Sequence, residues 1–360
     1  MYCLETIIRF KTSFCFFCME QIHKIAEHIT NISQARAELA SNLRKSSPEI
    51  ISQIHELKIN DLKVCGVDGG FLRKEFHGLT LLIRRAVGVC FSYSNIVEAK
   101  YLPSRNPQPE PLILTPEFSS EDINILSNLK RVEIELKTAL DCVKEFKPSI
   151  ILLDGSIVLH PSSVPKRNTA AYESYTQVIL LFRELYKFCS DNQIMLAGTS
   201  EDSRSRNFCN VISKQLLSGK PEAKILDSAN DTTFLHYLLK KGERTTHFSY
   251  SASGDMPGLS DLGEWRSKVY GMYIKPVEFD RPIRIDFLAS NAQLQADKIS
   301  AIVNAISCQN RTYAYPSVLI EADARAKLSE KDLGVFYKAL REKLGMDPSL
   351  FELRRETRPI

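Results

Sequence analysis

Two runs of this chain, Val64-Cys65-Gly66-Val67-Asp68-Gly69-Gly70 and Ile150-Ile151-Leu152-Leu153-Asp154-Gly155-Ser156, share one design. Each is an apolar, strand-like stretch that delivers an Asp directly before a Gly. Asp-Gly is also a common turn dipeptide, so either run alone reads as a strand entering a turn. A carboxylate at the end of a buried strand is costly unless a positive charge compensates it. Two of them in one chain point to a shared cation.

The patterns around these runs set the fold class. Residues 19–58 read as helical, with Ile22, Ile25, Ala26, Ile29 and Ile32 on one face. Strand patterns follow at 62–67, 79–93 and 96–101, and the second is apolar almost throughout, as in a strand inside a sheet. Five prolines between 102 and 116 mark a loop. Ser119-Ser120-Glu121-Asp122 opens a helix to about 146, with polar caps and acids in the first turn. Beyond the second Asp run come a helix (170–190), a strand (194–197), a helix (203–217) and a helical stretch near 231–240. Strand patterning then covers 245–288, and helices follow at 293–308, 317–326 and 330–343. Such an order predicts an α/β fold, a mixed sheet flanked by helices. It is the order of ribonuclease-H-like nucleases, in which acids on neighbouring strands and a helix converge. The expected division is a helical N-terminal addition (1–58), a core domain (59–328) and a C-terminal helix and tail (329–360).

Bulk composition narrows the classes. The 360 residues are 44% hydrophobic and 25% charged, ordinary for a globular protein with a sizeable core. A net charge of +4 is compatible with a nucleic-acid partner without requiring one. Nine dispersed cysteines and no secretory signal predict a reduced, cytoplasmic protein. Cys15 and Cys18 have no second pair at the spacing of a structural zinc site. The first 19 residues are apolar but carry Glu5, Arg9 and Lys11, short of the roughly 20 apolar residues of a span, so no membrane partner is expected. Met19 opens an amphipathic helix, which leaves translation from Met1 and from Met19 both open.

Hydrolysis of a phosphodiester by two divalent cations uses carboxylates that bridge ions about 3.5–4 Å apart. Mn²⁺ and Mg²⁺ prefer oxygen ligands. Asp68 and Asp154 supply two carboxylates. The 119–146 helix offers Glu133 and Glu135 for a third. On a helical wheel Glu133 falls at the edge of the apolar stripe and Glu135 lies farther off it. Ser203, Arg204 and Arg206, at a helix start after a buried strand, combine a hydroxyl and two guanidinium groups suited to DNA phosphates. Tyr315, before Pro316, and Asp323, two turns on, complete the candidate set. No phosphate-binding G-x-x-x-x-G-K, G-x-G-x-x-G, H-E-x-x-H or G-x-S-x-G sequence occurs.

In order and spacing, several segments resemble the NurA nuclease family over about residues 60–328. They are Gly66-Val67-Asp68-Gly69-Gly70, Arg131-Val132-Glu133-Ile134-Glu135, Leu153-Asp154-Gly155-Ser156 and Gly198-Thr199-Ser200 with Asp202-Ser203-Arg204. Trp265 before a strand pair, and Tyr315-Pro316 leading to Ala322-Asp323, complete the series. The resemblance implies a ribonuclease-H-like core and Mn²⁺- or Mg²⁺-dependent cleavage of single- and double-stranded DNA, by an exonuclease with single-strand endonuclease activity. It also implies a nucleoid-associated homodimer that works with a hexameric HerA-type translocase in double-strand-break end resection. Asp68, Asp154 and a helix Glu are implied as ligands of two ions, with Asp323 beside them. The family pattern, Arg four residues before the acid and Ala four after, favours Glu135, whereas the wheel favours Glu133. Asp323 stands where the family usually has His, and Glu201 where it often has Lys. These departures raise a second reading, a catalytically weak or inactive dimeric adaptor that regulates a DNA translocase.

Overall fold

The structure, a computed structural model, describes residues 2–114, 119–251, 256–345 and 353, with side chains from residue 19 onward except Ser120 and Leu344. Met1, Pro116, the side chains of Cys15 and Cys18, and nearly all of the tail after 345 lie outside the described residues. In chain order the elements are α1 (Tyr2–Ser46), β1 (Ile51–Gln53), β2 (Lys63–Phe76), β3 (Leu79–Ser92), β4 (Glu98–Leu102), β5 (Glu110–Leu114), α2 (Ser120–Phe146), β6 (Ile150–Asp154), α3 (Ala171–Asp191) and β7 (Met195–Ser200). Then follow α4 (Asn207–Gln215), α5 (Ala223–Asp227), α6 (Asp231–Leu238), β8 (Glu243–Thr245), β9 (Phe248–Ser249), β10 (Val269–Lys275), β11 (Ile283–Leu288), α7 (Ala292–Ile306), α8 (Ser317–Ala326) and α9 (Glu330–Leu344).

All eleven strands join one mixed sheet in the order β1-β8-β10-β11-β7-β6-β2-β3-β4, with β5 on β3 and β9 on β10. The centre, β2-β6-β7, is parallel, and the flanks are antiparallel. Strand alternation sorts the side chains into two cores. Cys65, Val67, Ile151 and Leu153 pack with residues of α2 and α3, among them Leu129, Leu136 and Val178. Val64, Ile150 and Leu152 pack on the other face with Ile299 of α7 and Val318 and Leu319 of α8.

Buried polar contacts fasten the outer helices. Arg44 forks onto Glu243 at 2.7 and 2.9 Å, tying the end of α1 to β8. Asp231, fully buried, accepts the Phe208 and Cys209 amides at the start of α4 and the Tyr273 hydroxyl of β10. α2 starts where the sequence predicts it, with Ser119 accepting the Asp122 amide at 3.1 Å.

Four expectations need correction. The first helix stops at Ser46, because Pro48 opens a short 3₁₀ turn and 51–53 pairs with β8. The proline-rich stretch holds a strand, β5, which among the described residues pairs only with β3; Pro111 is tolerated at such an edge. β2 does not end at Val67 but continues through Asp68, Gly69 and Gly70 to Phe76. α4 begins at Asn207 rather than near 203.

Gly198, in β7, carries the 155–157 turn directly on its backbone. A Cβ there would stand 2.8 Å from the Ile157 amide nitrogen and 3.0 Å from the Ser156 carbonyl carbon, atoms that cannot yield like a side chain. A Cβ added at Gly334, exposed in α9, would meet nothing within 4 Å. Gly198→Ala should therefore cost about 1–3 kcal/mol by overpacking, whereas Gly334→Ala should gain about 0.5–1 kcal/mol of helix stability. Thermal melting of both variants checks the contrast, and equal melting temperatures would count against it.

Candidate active site

Parallel pairing of Val67 with Leu153 brings the next residues, Asp68 and Asp154, abreast on adjacent strands. Two-residue alternation turns both toward the α8 face, the side of Val64, Ile150 and Leu152. The two Asp-Gly pairs do different jobs. Gly155, at φ +105°, turns the chain after β6, and its amide donates to the Thr199 carbonyl at 2.8 Å. Asp68-Gly69-Gly70 lies inside β2, where its glycines admit helices. A Cβ on Gly69 would stand 2.6 Å from Cγ of Glu135, and one on Gly70 would stand 3.0 Å from the Ala326 carbonyl oxygen of α8. Gly66 makes the same allowance for Val318, at 2.9 Å.

A third carboxyl, that of Glu135, meets β2 at Gly69 from the α2 face, close enough for the charges of Asp68 and Asp154 to reach it. Burial pushes it up to about 8; the Arg131 guanidinium opposes that rise, and the charges of Asp68 and Asp154 add to it. Arg131 pairs with Glu135 one turn away on α2 and also donates to Asn128, which in turn donates to Ser163 at 2.7 Å. Asp68 is 7% exposed, and burial, then Asp154, push it up to about 7 against a hydrogen bond from the Gly69 amide. Asp154 is likewise raised by burial, opposed by its hydrogen bond with Tyr315 and by the charge of Arg131. The Tyr315 hydroxyl lies 2.5 Å from Oδ1 of Asp154 and 2.9 Å from the Thr199 carbonyl. Burial and Asp154 hold this phenol well above its ordinary value, so it stays a donor.

Glu133 is elsewhere, which corrects the wheel reading. It accepts Lys137 at 2.6 Å and Lys130 at 2.9 Å and pairs with Arg84 at 3.5 Å. Burial lifts it, but the lysine hydrogen bonds prevail and hold it down at about 2. The wheel failed because α2 buries polar residues too: Ser127, Glu135 and Thr138 extend the covered arc beyond the apolar stripe. Asp323, exposed on α8, is close enough for its charge to raise Asp68, Asp154 and Tyr313. Glu201 hydrogen-bonds Tyr313 at the same rim. Ser203, Arg204 and Arg206 line a cavity of about 570 Å³ that Ser156, two residues past Asp154, also lines. Arg206 additionally donates to the Leu226 carbonyl at 3.1 Å.

The donors fit a divalent cation. They are all oxygens, as Mn²⁺ and Mg²⁺ prefer, and three buried carboxyls share one guanidinium. The buried Thr199 hydroxyl, on the strand residue paired with Asp154, has no hydrogen-bond partner among the described residues. As the side chains stand, the carboxyls engage Arg131, Tyr315 and one another, and among the described residues no three carboxylate, imidazole or thiol groups form a ready cage. Arg131 stands in the sequence only as the Arg four residues before the acid, and Thr199 only as part of the Gly198-Thr199-Ser200 run; neither is assigned a role there.

The NurA domain family model matches residues 62–328 of the sequence. No curated protein matches it. Among solved structures, the NurA nuclease from Sulfolobus solfataricus is similar at 16% identity and TM-score 0.55, covering 89% of this chain and 97% of that one. A NurA with manganese is similar at 11% identity and TM-score 0.53, covering 88% and 97%. A NurA bound to dAMP and manganese is similar at 10% identity and TM-score 0.51, covering 84% and 93%. At these identities the likeness shows a shared fold: a central mixed sheet flanked by helices.

Asp68 and Glu135 carry folded-state values above those of an unfolded chain, about 7 and about 8. The stability of their neutral forms is complete below about pH 4 and is lost as the pH rises through 7 to 8. In chelator, the melting temperature of the wild type should fall across that range more steeply than that of Asp68→Asn. At pH 8 the variant should be the more stable by about 2 kcal/mol, order of magnitude. Thermal melts from pH 5 to 8.5 check this, and parallel curves would contradict it.

Proposed function

The chain belongs to the NurA family, and from that premise we propose that it is a Mn²⁺- or Mg²⁺-dependent deoxyribonuclease. The observation that carries the reading is the adjacency of Asp68 and Asp154 on neighbouring strands, with Glu135 close enough for its charge to couple to both. The sheet order and the acids on its central strands support assignment of the core to the ribonuclease-H-like class. Asp68, Asp154 and Glu135 would hold the cations, two per site, with Asp323 at the rim. When bound, such ions supply the Lewis-acid charge that phosphodiester hydrolysis requires.

The chain's own residues prepare the site. Tyr315 donates to Oδ1 of Asp154 and so fixes the orientation of that carboxylate. Arg131 offsets part of the charge of Glu135, so the carboxyls can stay close before a cation arrives. Ser203, Arg204 and Arg206 sit beyond the end of β7, placed to take the phosphates of a strand running past Asp154. In this reading the protein is an exonuclease, with endonuclease action on single strands. It acts as a homodimer with a HerA-type hexameric translocase in the resection of double-strand breaks. Among the described residues no helix is long and apolar enough to cross a membrane.

A second reading, a weak or inactive adaptor of a translocase, draws on two acids, Glu201 and Asp323, at the rim where a strand's phosphates would approach. Cleavage by the purified protein decides between them. Under the first reading, Mn²⁺ supports degradation of single- and double-stranded DNA, and Asp68→Asn and Asp154→Asn each reduce it at least 100-fold with unchanged circular dichroism. Full activity in both variants would overturn the assignment, and a wild type that never cleaves would favour the adaptor.

A further inference from the structure

A row of side chains crosses the centre of the sheet on its α8 face. Asp68 on β2, Asp154 on β6 and Thr199 on β7 follow one another in register, and Ile285 on β11, a member of the core that packs on α7 and α8, comes next. Thr199 is therefore the last polar group of the row. It is fully buried, and its hydroxyl has no hydrogen-bond partner among the described residues. The backbone of Thr199, by contrast, is well held: its carbonyl accepts the Gly155 amide at 2.8 Å and the Tyr315 hydroxyl at 2.9 Å. A valine has the same branched shape, suits a strand equally and buries no polar atom. An unpaired hydroxyl in this position costs stability until a partner appears.

Asp154 is the polar neighbour that can supply one. Strands lie about 4.8 Å apart, so a Thr and an Asp paired in register on one face come within reach of each other. The Tyr315 hydroxyl already joins the two residues, 2.5 Å from Oδ1 of Asp154 and 2.9 Å from the Thr199 carbonyl. Resting on the metal-dependent nuclease reading, we propose that Thr199 is a positioning residue, whose hydroxyl donates to the Asp154 carboxylate when a divalent cation is bound there. Tyr315 then holds that carboxylate from the α8 side and Thr199 from β7, so Asp154 keeps one orientation toward the cation. Carboxylates that ligate metals are themselves held by such hydrogen bonds, and loss of one weakens metal affinity. Thr199 acts only through Asp154 and touches neither the cation nor DNA.

The test titrates full-length wild type, Thr199→Val and Thr199→Ser with Mn²⁺, reading the free ion by electron paramagnetic resonance, and melts the same proteins in chelator. Thr199→Val should bind Mn²⁺ more weakly by about tenfold or more, whereas Thr199→Ser, which keeps the hydroxyl, should bind as the wild type does. In chelator Thr199→Val should melt no lower than the wild type, because the hydroxyl it removes is unpaired without the cation. Wild-type affinity in Thr199→Val would overturn this inference and leave the nuclease reading standing. Equal weakening in both variants, or a lower melting temperature of Thr199→Val in chelator, would also overturn it, since either outcome makes the role of Thr199 one of shape or packing. A wild type that binds no Mn²⁺ would overturn both readings.

Discussion

Two strand carboxyls, a helix carboxyl that reaches the sheet from its other face and one guanidinium are buried near one another, and the centre of the molecule is organised around that imbalance. Backbone pairing leaves no choice about it: once β2 lies parallel to β6 in this register, Asp68 and Asp154 are neighbours. Burying such charges without partners costs several kcal/mol each. Burial raises the pKa of all three carboxyls, and the Tyr315 hydroxyl and Arg131 offset part of the charge that remains. Arg131 is itself held by Asn128, and Asn128 by Ser163, so a polar relay runs from the surface of α2 to the centre of the sheet. Under the proposed nuclease reading, such a site would exchange protons for a cation, because the same groups that resist ionising alone are stabilised by a positive charge.

Much of this was legible in the sequence, and the limits have physical causes. The paired Asp strands, the intervening helix and the later Tyr-Pro segment all show in period and order, and the structure brings Asp68, Asp154 and Tyr315 together as that order suggests. The choice between Glu133 and Glu135 was not legible from periodicity. A wheel weighs only apolar residues, while α2 also buries hydroxyls and an acid against strands and helix on different sides. The glycines misled for a related reason. A glycine serves both a left-handed turn and the close approach of a helix, and the letter does not say which. At Gly155 it is the turn; at Gly66 and Gly69 it is the approach.

Residues joined by long-range contact were beyond reach. Tyr250 and Arg284 come from the strand-rich region after α6, and nothing in their local sequence sets them beside Ser203. β5 was hidden by its own Pro111, which argues against a strand except at an edge, and edge position is a property of the sheet.

The ion pair between Arg131 and Glu135 spans a single helical turn. Its two members are therefore neighbours as soon as α2 coils, before any strand has paired. Contacts this local close with little loss of chain entropy. The pair can enter the interior with its two charges already matched, so Glu135 need not be buried as a lone charge. The strand acids have no such companion nearby in sequence, so the assembly of the sheet, rather than of the helix, is the stage at which unbalanced charge has to be confronted.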